Sequence, residues 1–163
     1  MENIIEYMVK KEKDSADTLK IFGIYAAAFV LTVLSFMFLK SFAIIGAAAS
    51  IYLAYYFSQN FKLEFEYCIV AKDITIDKIM NRKKRKTVIA IDSADILAIA
   101  QQANSDVLNE YKAVKTIFAA AKKTDDSNYI IVCKTKDGIT KVTVSFDERI
   151  VSHFKQVLPQ KMF

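Results

Sequence analysis

Residues 21–57 form a long apolar stretch that contains a single charged residue, Lys40. A helical membrane span needs about 20 apolar residues. One helix over the whole stretch would be about 55 Å long, nearly twice the hydrocarbon thickness of a bilayer. Two antiparallel spans with a tight turn at Lys40 fit a bilayer better. The sequence therefore predicts two transmembrane helices, at about 20–39 and 41–58, preceded by a segment at 1–19.

Small residues recur four positions apart on both predicted spans. Gly23 and Ala27 lie on the first span, and Gly46 and Ser50 lie on the second. Residues of this size let two helix backbones approach closely in a membrane. These four residues are therefore candidates for helix packing.

Lysine and arginine residues near the span ends predict the orientation of the hairpin, because cytoplasmic flanks carry an excess of them. Both outer flanks are rich in lysine, whereas the connecting turn has Lys40 alone: Lys10, Lys11, Lys13 and Lys20 precede the spans, and Lys62, Lys72 and Lys78 follow them. The prediction is a multi-pass protein of the cytoplasmic membrane with both termini in the cytosol.

The segment before the spans has four apolar residues that would share one side of a short helix: Ile4, Ile5, Met8 and Val9. This spacing suggests a short amphipathic helix within 1–19. Such a helix would lie on the inner membrane surface or pack on the C-terminal domain.

Residues 62–163 alternate between apolar and polar side chains, which is typical of β-strands. Gly138, in the segment Lys136-Asp137-Gly138, predicts a hairpin turn. A final helix begins near Asp147, a favourable N-cap, carries one apolar stripe and ends at Pro159. Seven strands are predicted, at 63–70, 74–80, 87–91, 96–101, 114–120, 129–134 and 141–146.

This order of elements predicts an α+β chain. An N-terminal transmembrane helical hairpin is followed by a seven-stranded pleckstrin-homology-like β-barrel or sandwich, which the C-terminal helix caps. The domain at 62–163 is large enough to bury a core of its own.

The positive charge of the chain is concentrated in one run of five consecutive cations: Arg82, Lys83, Lys84, Arg85 and Lys86. The formal net charge is +5, so the rest of the chain is neutral overall. This basic run either contacts anionic lipid of the inner leaflet or is a solvated hairpin that reinforces the topology. Nucleic acid is not expected, because no aromatic residues are interleaved with the cations.

The sequence does not indicate catalytic chemistry. It has one histidine, His153, and three glycines, so a two-histidine metal site and a glycine-rich phosphate loop are excluded. Asp125 and Asp126 lie in a polar stretch beside lysines, as in a solvated loop. We therefore expect no enzyme, no catalytic or metal-binding residues and no cofactor. Cys68 and Cys133 are expected to be buried free thiols in the reducing cytosol.

Five segments together resemble a family of small two-span membrane proteins from Firmicutes: residues 6–11, 52–56, 65–67, 73–79 and 82–86. The resemblance covers most of the chain and is strongest over 65–91. That family is a domain of unknown function, so the resemblance implies architecture and compartment but no activity. The C-terminal domain is more distantly similar to bacterial pleckstrin-homology domains that follow paired membrane helices.

Pleckstrin-homology domains that bind phosphoinositides carry basic residues around the connection of their first two strands. Here the corresponding connection, at 71–73, has one lysine, and the basic run lies in the next hairpin. The resemblance therefore does not extend to inositide recognition.

Three hypotheses follow from these patterns. The leading one is a membrane-anchored interaction module that binds an unknown protein partner. The alternatives are a protein that binds or senses anionic lipid through the basic run, and an accessory subunit of a membrane transport or secretion complex. A homo-oligomer is compatible with each of them.

Overall fold

A computed structural model describes residues 4–163, and two apolar helices are its longest elements. Helix α1 spans Ser15–Phe38 and helix α2 spans Ala43–Gln59, joined by a 3₁₀ turn at Lys40–Phe42. The side chain of Asp14 caps α1 by accepting a hydrogen bond from the Ser15 N–H. By length and composition, both helices can cross a membrane.

Small side chains line the contact between α1 and α2. Five of them are buried there: Ala28, Ser35, Ala43, Ser50 and Ala54. The hydroxyls of Ser35 and Ser50 donate to carbonyls one turn earlier in their own helices, so neither polar group is left unpaired. Only 6% of the apolar window of α1 and 17% of that of α2 are buried. The outer faces of both helices are therefore apolar and uncovered.

Eight strands and a third helix form a separate unit, which comprises residues 1–11, 64–79 and 85–163. Its first sheet has the order β1-β2-β3-β4 and its second has the order β5-β7-β8-β6. The strands are β1 Ile4–Lys10, β2 Leu63–Val70, β3 Asp73–Met80, β4 Lys84–Ile91, β5 Ile96–Gln101, β6 Lys115–Ala119, β7 Tyr129–Thr135 and β8 Gly138–Val144.

The segment before α1 is a strand, so the predicted short helix is wrong. Strand β1 pairs antiparallel with β2 along its whole length, from Ile4 opposite Val70 to Lys10 opposite Glu64. The side chain of Val9 is buried in the domain core. An alternating side-chain pattern allows this pairing, whereas a helix would leave the backbone edge of β2 without a partner. The two apolar helices are thus inserted between neighbouring strands of one sheet.

The second sheet contains a parallel pair, because β6 lies beside β8 with Lys115 opposite Thr140 and Ala119 opposite Val144. The seven predicted strands are all present within a few residues, and β1 is the eighth. They form two four-stranded sheets rather than a closed seven-stranded barrel. Between β5 and β6, the chain forms a 3₁₀ helix at Gln102–Leu108.

Helix α3, at Glu148–Val157, covers the core between the two sheets. The side chain of Asp147 caps it by accepting a hydrogen bond from the Ile150 N–H, as predicted. Ile150 and Phe154 are fully buried among residues of both sheets. At about 25 cal/mol per Å² of apolar area, each of these side chains contributes roughly 2 kcal/mol to folding.

Candidate functional site

The basic run lies on the hairpin between β3 and β4. The tip is a two-residue turn at Asn81 and Arg82, both with positive φ, 50° and 53°, and the Lys83 N–H donates to the Met80 carbonyl. Two residues with positive φ are characteristic of a type I′ turn, whose twist matches that of paired strands. The whole run was predicted to lie in the connection, but Lys84, Arg85 and Lys86 belong to β4.

Alternation along β4 divides the basic run into two sets. The Arg85 guanidinium forms an ion pair with Glu66 on β2, and its Nε lies 3.6 Å from a carboxylate oxygen of Asp77 on β3. Both carboxylate side chains are about 15% exposed. The charge of Arg85 is therefore matched by two carboxylates of the same sheet, while its side chain stays 58% exposed.

The lysines of the run remain accessible. Lys83, Lys84 and Lys86 are exposed, and among residues 4–163 no acidic group lies within ion-pair distance of them. Lys84 and Lys86 are two residues apart on a strand, so they lie on the sheet face opposite Arg85. The cations of the run without an acidic partner are therefore Lys83 at the tip and Lys84 and Lys86 on one face, within the described residues.

A cleft of about 560 Å³ lies beside the hairpin tip, within the helical unit that comprises residues 12–63 and 80–84. We call it the tyrosine cleft. It is lined by side chains from the last turns of α2, the residue after it and the hairpin tip: Tyr52, Tyr55, Tyr56, Gln59, Asn60, Met80, Asn81, Lys83 and Lys84. The tip is held there by a hydrogen bond of 2.9 Å from the Asn81 N–H to the Lys62 carbonyl.

Sequence reasoning did not group these residues, because Tyr52 and Lys83 are far apart along the chain. The available signal was the cluster of tyrosines at the end of the second apolar stretch, where aromatic side chains favour a membrane surface. What brings the tyrosines next to the lysines is the path of the chain from α2 through β2 and β3 back to the tip.

The predicted helix-packing residues divide into two pairs. A Cβ added at Gly46 would lie 2.6 Å from Ser35 Oγ, so Gly46 is required for close packing, and Ser50 is buried in the same contact. Gly23 and Ala27 are exposed, and a Cβ at Gly23 would contact nothing within 4 Å. Within the hairpin, Ala28 and Ser35 make the contact on the first span, and a packing role for Gly23 and Ala27 stays a prediction.

A second cavity, of about 650 Å³, lies between β4 and β6, which are one edge strand of each sheet. We call it the edge groove. Val88, Ile89 and Ala90 line it from β4, and Lys115 and Ile117 line it from β6. The β7–β8 turn and nearby positions supply the remaining lining residues: Asp95, Lys134, Thr135, Lys136, Asp137 and Thr140.

The two cysteines are free thiols. Cys133 is buried, and burial together with the charge of Asp95 raises the pKa of its thiol to about 11. Cys68 on β2 is half-buried rather than buried. Neither thiol lines the tyrosine cleft or the edge groove.

Comparison with known proteins gives one result. A family model described as Bacterial PH-like domain (DUF6106) matches residues 1–163. No curated protein and no solved structure matches this chain.

Proposed function

The chain belongs to the family described as Bacterial PH-like domain (DUF6106), and we propose that it is a non-enzymatic, membrane-anchored interaction module. In this proposal α1 and α2 cross the cytoplasmic membrane as a hairpin and both termini are cytosolic. The β domain then presents a docking surface for a protein partner at the inner membrane surface.

The insertion of the helical hairpin between β1 and β2 carries this proposal. Four residues separate β1 from α1, and three separate α2 from β2. Because β1 and β2 pair along their whole length, both must be in the same aqueous compartment. The chain between them therefore crosses the bilayer an even number of times, and two helices of spanning length supply two crossings.

The exposure of the helices supports a bilayer as their surroundings. Large apolar side chains point outward along both helices, and Phe29 and Ile44 are 70% and 74% exposed. Monomeric soluble proteins rarely leave a continuous apolar surface of this extent uncovered. The lysine-rich flanks of the hairpin favour the cytosol for the β domain.

The edge groove is the docking surface that we propose for the partner. β4 and β6 each have one backbone edge without a neighbouring strand. An exposed strand edge can accept an extended segment as an added strand. Three lysines and two aspartates line the groove, so we propose an extended partner segment that combines apolar residues with a net negative charge.

Site-specific photo-cross-linking in the intact membrane tests this function. A photo-reactive amino acid is placed at Ala90 or Lys115, two exposed positions of the groove, and at Val107, an exposed control position outside it. We expect one partner adduct shared by positions 90 and 115 and absent at 107. Replacing Lys134 and Lys136 with Glu should reduce its yield.

Three results would contradict different parts of the proposal. Equal adducts at all three positions would show nonspecific proximity rather than docking. An adduct only with a second copy of the chain would replace the partner by a homo-oligomer. Recovery of the protein in the soluble fraction after lysis without detergent would refute the membrane anchor itself.

A further inference from the structure

We propose that the tyrosine cleft binds the headgroup of one anionic glycerophospholipid from the inner leaflet. This inference rests on the membrane insertion proposed above, and it adds a ligand and a site to it. The site lies within the helical unit and is separate from the edge groove.

The charge of the cleft matches a phosphodiester. Lys83 and Lys84 line it, and no acidic residue does. Neither lysine forms an ion pair with any residue in the described part of the chain. By contrast, Arg85 on the following position of β4 is neutralised by Glu66 and Asp77. An anion in the cleft thus meets two positive charges without a competing carboxylate.

The position of the cleft along α2 corresponds to the membrane surface. Tyr52 and Gln59 are seven residues apart on the helix, which places them about 10 Å apart along its axis. The lining therefore extends from the apolar part of the span to its polar end. Tyrosine rings prefer this depth, where the ring contacts acyl chains and the hydroxyl reaches polar groups.

The donors of the cleft suit a phosphate and its glycerol. Tyr52, Tyr55 and Tyr56 are 66%, 58% and 54% exposed, so their hydroxyls are accessible as donors. Gln59 and Asn60 add amide N–H groups at the polar end. The side chain of Met80 supplies an apolar surface for the part of the lipid acyl chains that lies next to the ester groups. The volume of about 560 Å³ is within the range of small-molecule sites.

The geometry of the hairpin tip keeps the lysines beside the tyrosines. The type I′ turn fixes the direction of the tip, and the Asn81 N–H bonds to the Lys62 carbonyl just after α2. A disordered basic segment would have to pay the ordering entropy on binding. Here the two lysines start from a folded backbone, which favours one headgroup over diffuse attraction.

Energy transfer from a single tryptophan to a labelled lipid tests the proposal in the full chain. The sequence has no tryptophan, so Phe57→Trp places one donor at the end of α2, outside the cleft lining. The protein is reconstituted in phosphatidylcholine nanodiscs with a trace of dansyl-labelled phosphatidylglycerol. Part of the host lipid is then replaced by unlabelled phosphatidylglycerol or by unlabelled phosphatidylethanolamine, which has no net charge, as the competitor for the site.

We expect phosphatidylglycerol to halve the transfer at a mole fraction at least tenfold lower than phosphatidylethanolamine, since each lysine near anionic lipid contributes about fivefold. The double variant Lys83→Gln, Lys84→Gln should abolish the difference. The matched control Lys112→Gln, Lys155→Gln removes the same charge from exposed positions outside the cleft. This control should retain the difference between the two lipids.

Three results would overturn the proposal. Equal competition by both lipids, with transfer present, would refute the headgroup site while leaving the membrane anchor intact. Equal losses in the two double variants would reduce the effect to net charge. Displacement by millimolar sn-glycerol 3-phosphate would assign the cleft to a soluble phosphate. Absence of transfer from the tryptophan to the labelled lipid would instead refute the insertion of the helices.

Discussion

Removing the hydroxyl of Tyr67 should destabilise the β domain by about 2–3 kcal/mol. Tyr67 is fully buried on β2, and its hydroxyl connects the two sheets. It donates a hydrogen bond of 2.5 Å to the Ala119 carbonyl and accepts one of 3.1 Å from the Ser145 N–H. Burial is the main reason that the pKa of Tyr67 is raised well above its ordinary value. The hydroxyl therefore remains a donor across the physiological range.

The magnitude of this destabilisation follows from the two backbone groups that lose a hydrogen-bond partner in Tyr67→Phe. Ala119 is fully buried, so its carbonyl loses a partner that water cannot replace, at about 1–3 kcal/mol. Ser145 is half-buried, so its N–H can partly recover a partner, and we assign it about 0.5–1 kcal/mol. For a domain of this size, the sum corresponds to a decrease in Tm of roughly 10 °C.

Thermal unfolding of the full chain in detergent, followed by tyrosine circular dichroism, measures this change. Tyr7→Phe is the matched control. The Tyr7 ring lies 6.2 Å from that of Tyr67, but in residues 4–163 its hydroxyl forms no hydrogen bond. The control should shift Tm by no more than about 2 °C. Equal shifts for the two variants would refute the role of the Tyr67 hydroxyl in joining the sheets.

Three further predictions concern other parts of the chain. Gly46→Leu should destabilise the packing of α1 against α2 by about 1–3 kcal/mol because of the contact with Ser35. Gly23→Leu should leave this packing unchanged. The hydroxyl oxygens of Tyr25 and Ser58 are 3.3 Å apart, so bismaleimide cross-linking of cysteines at positions 25 and 58 measures this change. Equal cross-linking yields for the two glycine variants would contradict the prediction. Ala71→Gly should raise the free energy of unfolding by about 0.5 kcal/mol, because Ala71 has φ 56°; a lower urea midpoint would contradict it. At pH 8, iodoacetamide should alkylate Cys133 roughly a hundredfold more slowly than an ordinary thiol, because its pKa is about 11 rather than 9, and mass spectrometry with Cys68 as internal reference tests this.

Features set by local sequence were predictable. The two apolar stretches predict α1 and α2 because a soluble fold can rarely bury a continuous apolar stretch that is long enough to span a bilayer. Asp147 predicts the start of α3 because capping depends on adjacent residues. Gly138 predicts the β7–β8 hairpin because its positive φ, 118°, is a local requirement.

Features set by distant partners were not predictable. The spacing of Ile4, Ile5, Met8 and Val9 is compatible with a helix and with a strand, and the choice is made by β2, more than fifty residues later. The neutralisation of Arg85 also depends on pairing, because Glu66 and Asp77 come from two other strands. The basic run could therefore be located from sequence, but which of its charges are accessible could not.

The proposed membrane topology depends most directly on the pairing of β1 with β2 around the helical hairpin. Glu6 lies opposite Cys68 in this pairing, and Lys10 lies on the same face of β1, four residues away, or about 13 Å. Opposite positions on paired strands have Cβ atoms about 5 Å apart, within reach of a short thiol cross-linker.

The measurement is therefore cross-linking of Glu6→Cys to the native Cys68 in isolated membranes, identified by mass spectrometry of the linked peptides. We expect a dominant 6–68 link and little linkage for the Lys10→Cys control. Equal or absent linkage in the two variants would contradict the pairing. Without this pairing, there would be no reason to place both ends of the helical hairpin in one compartment.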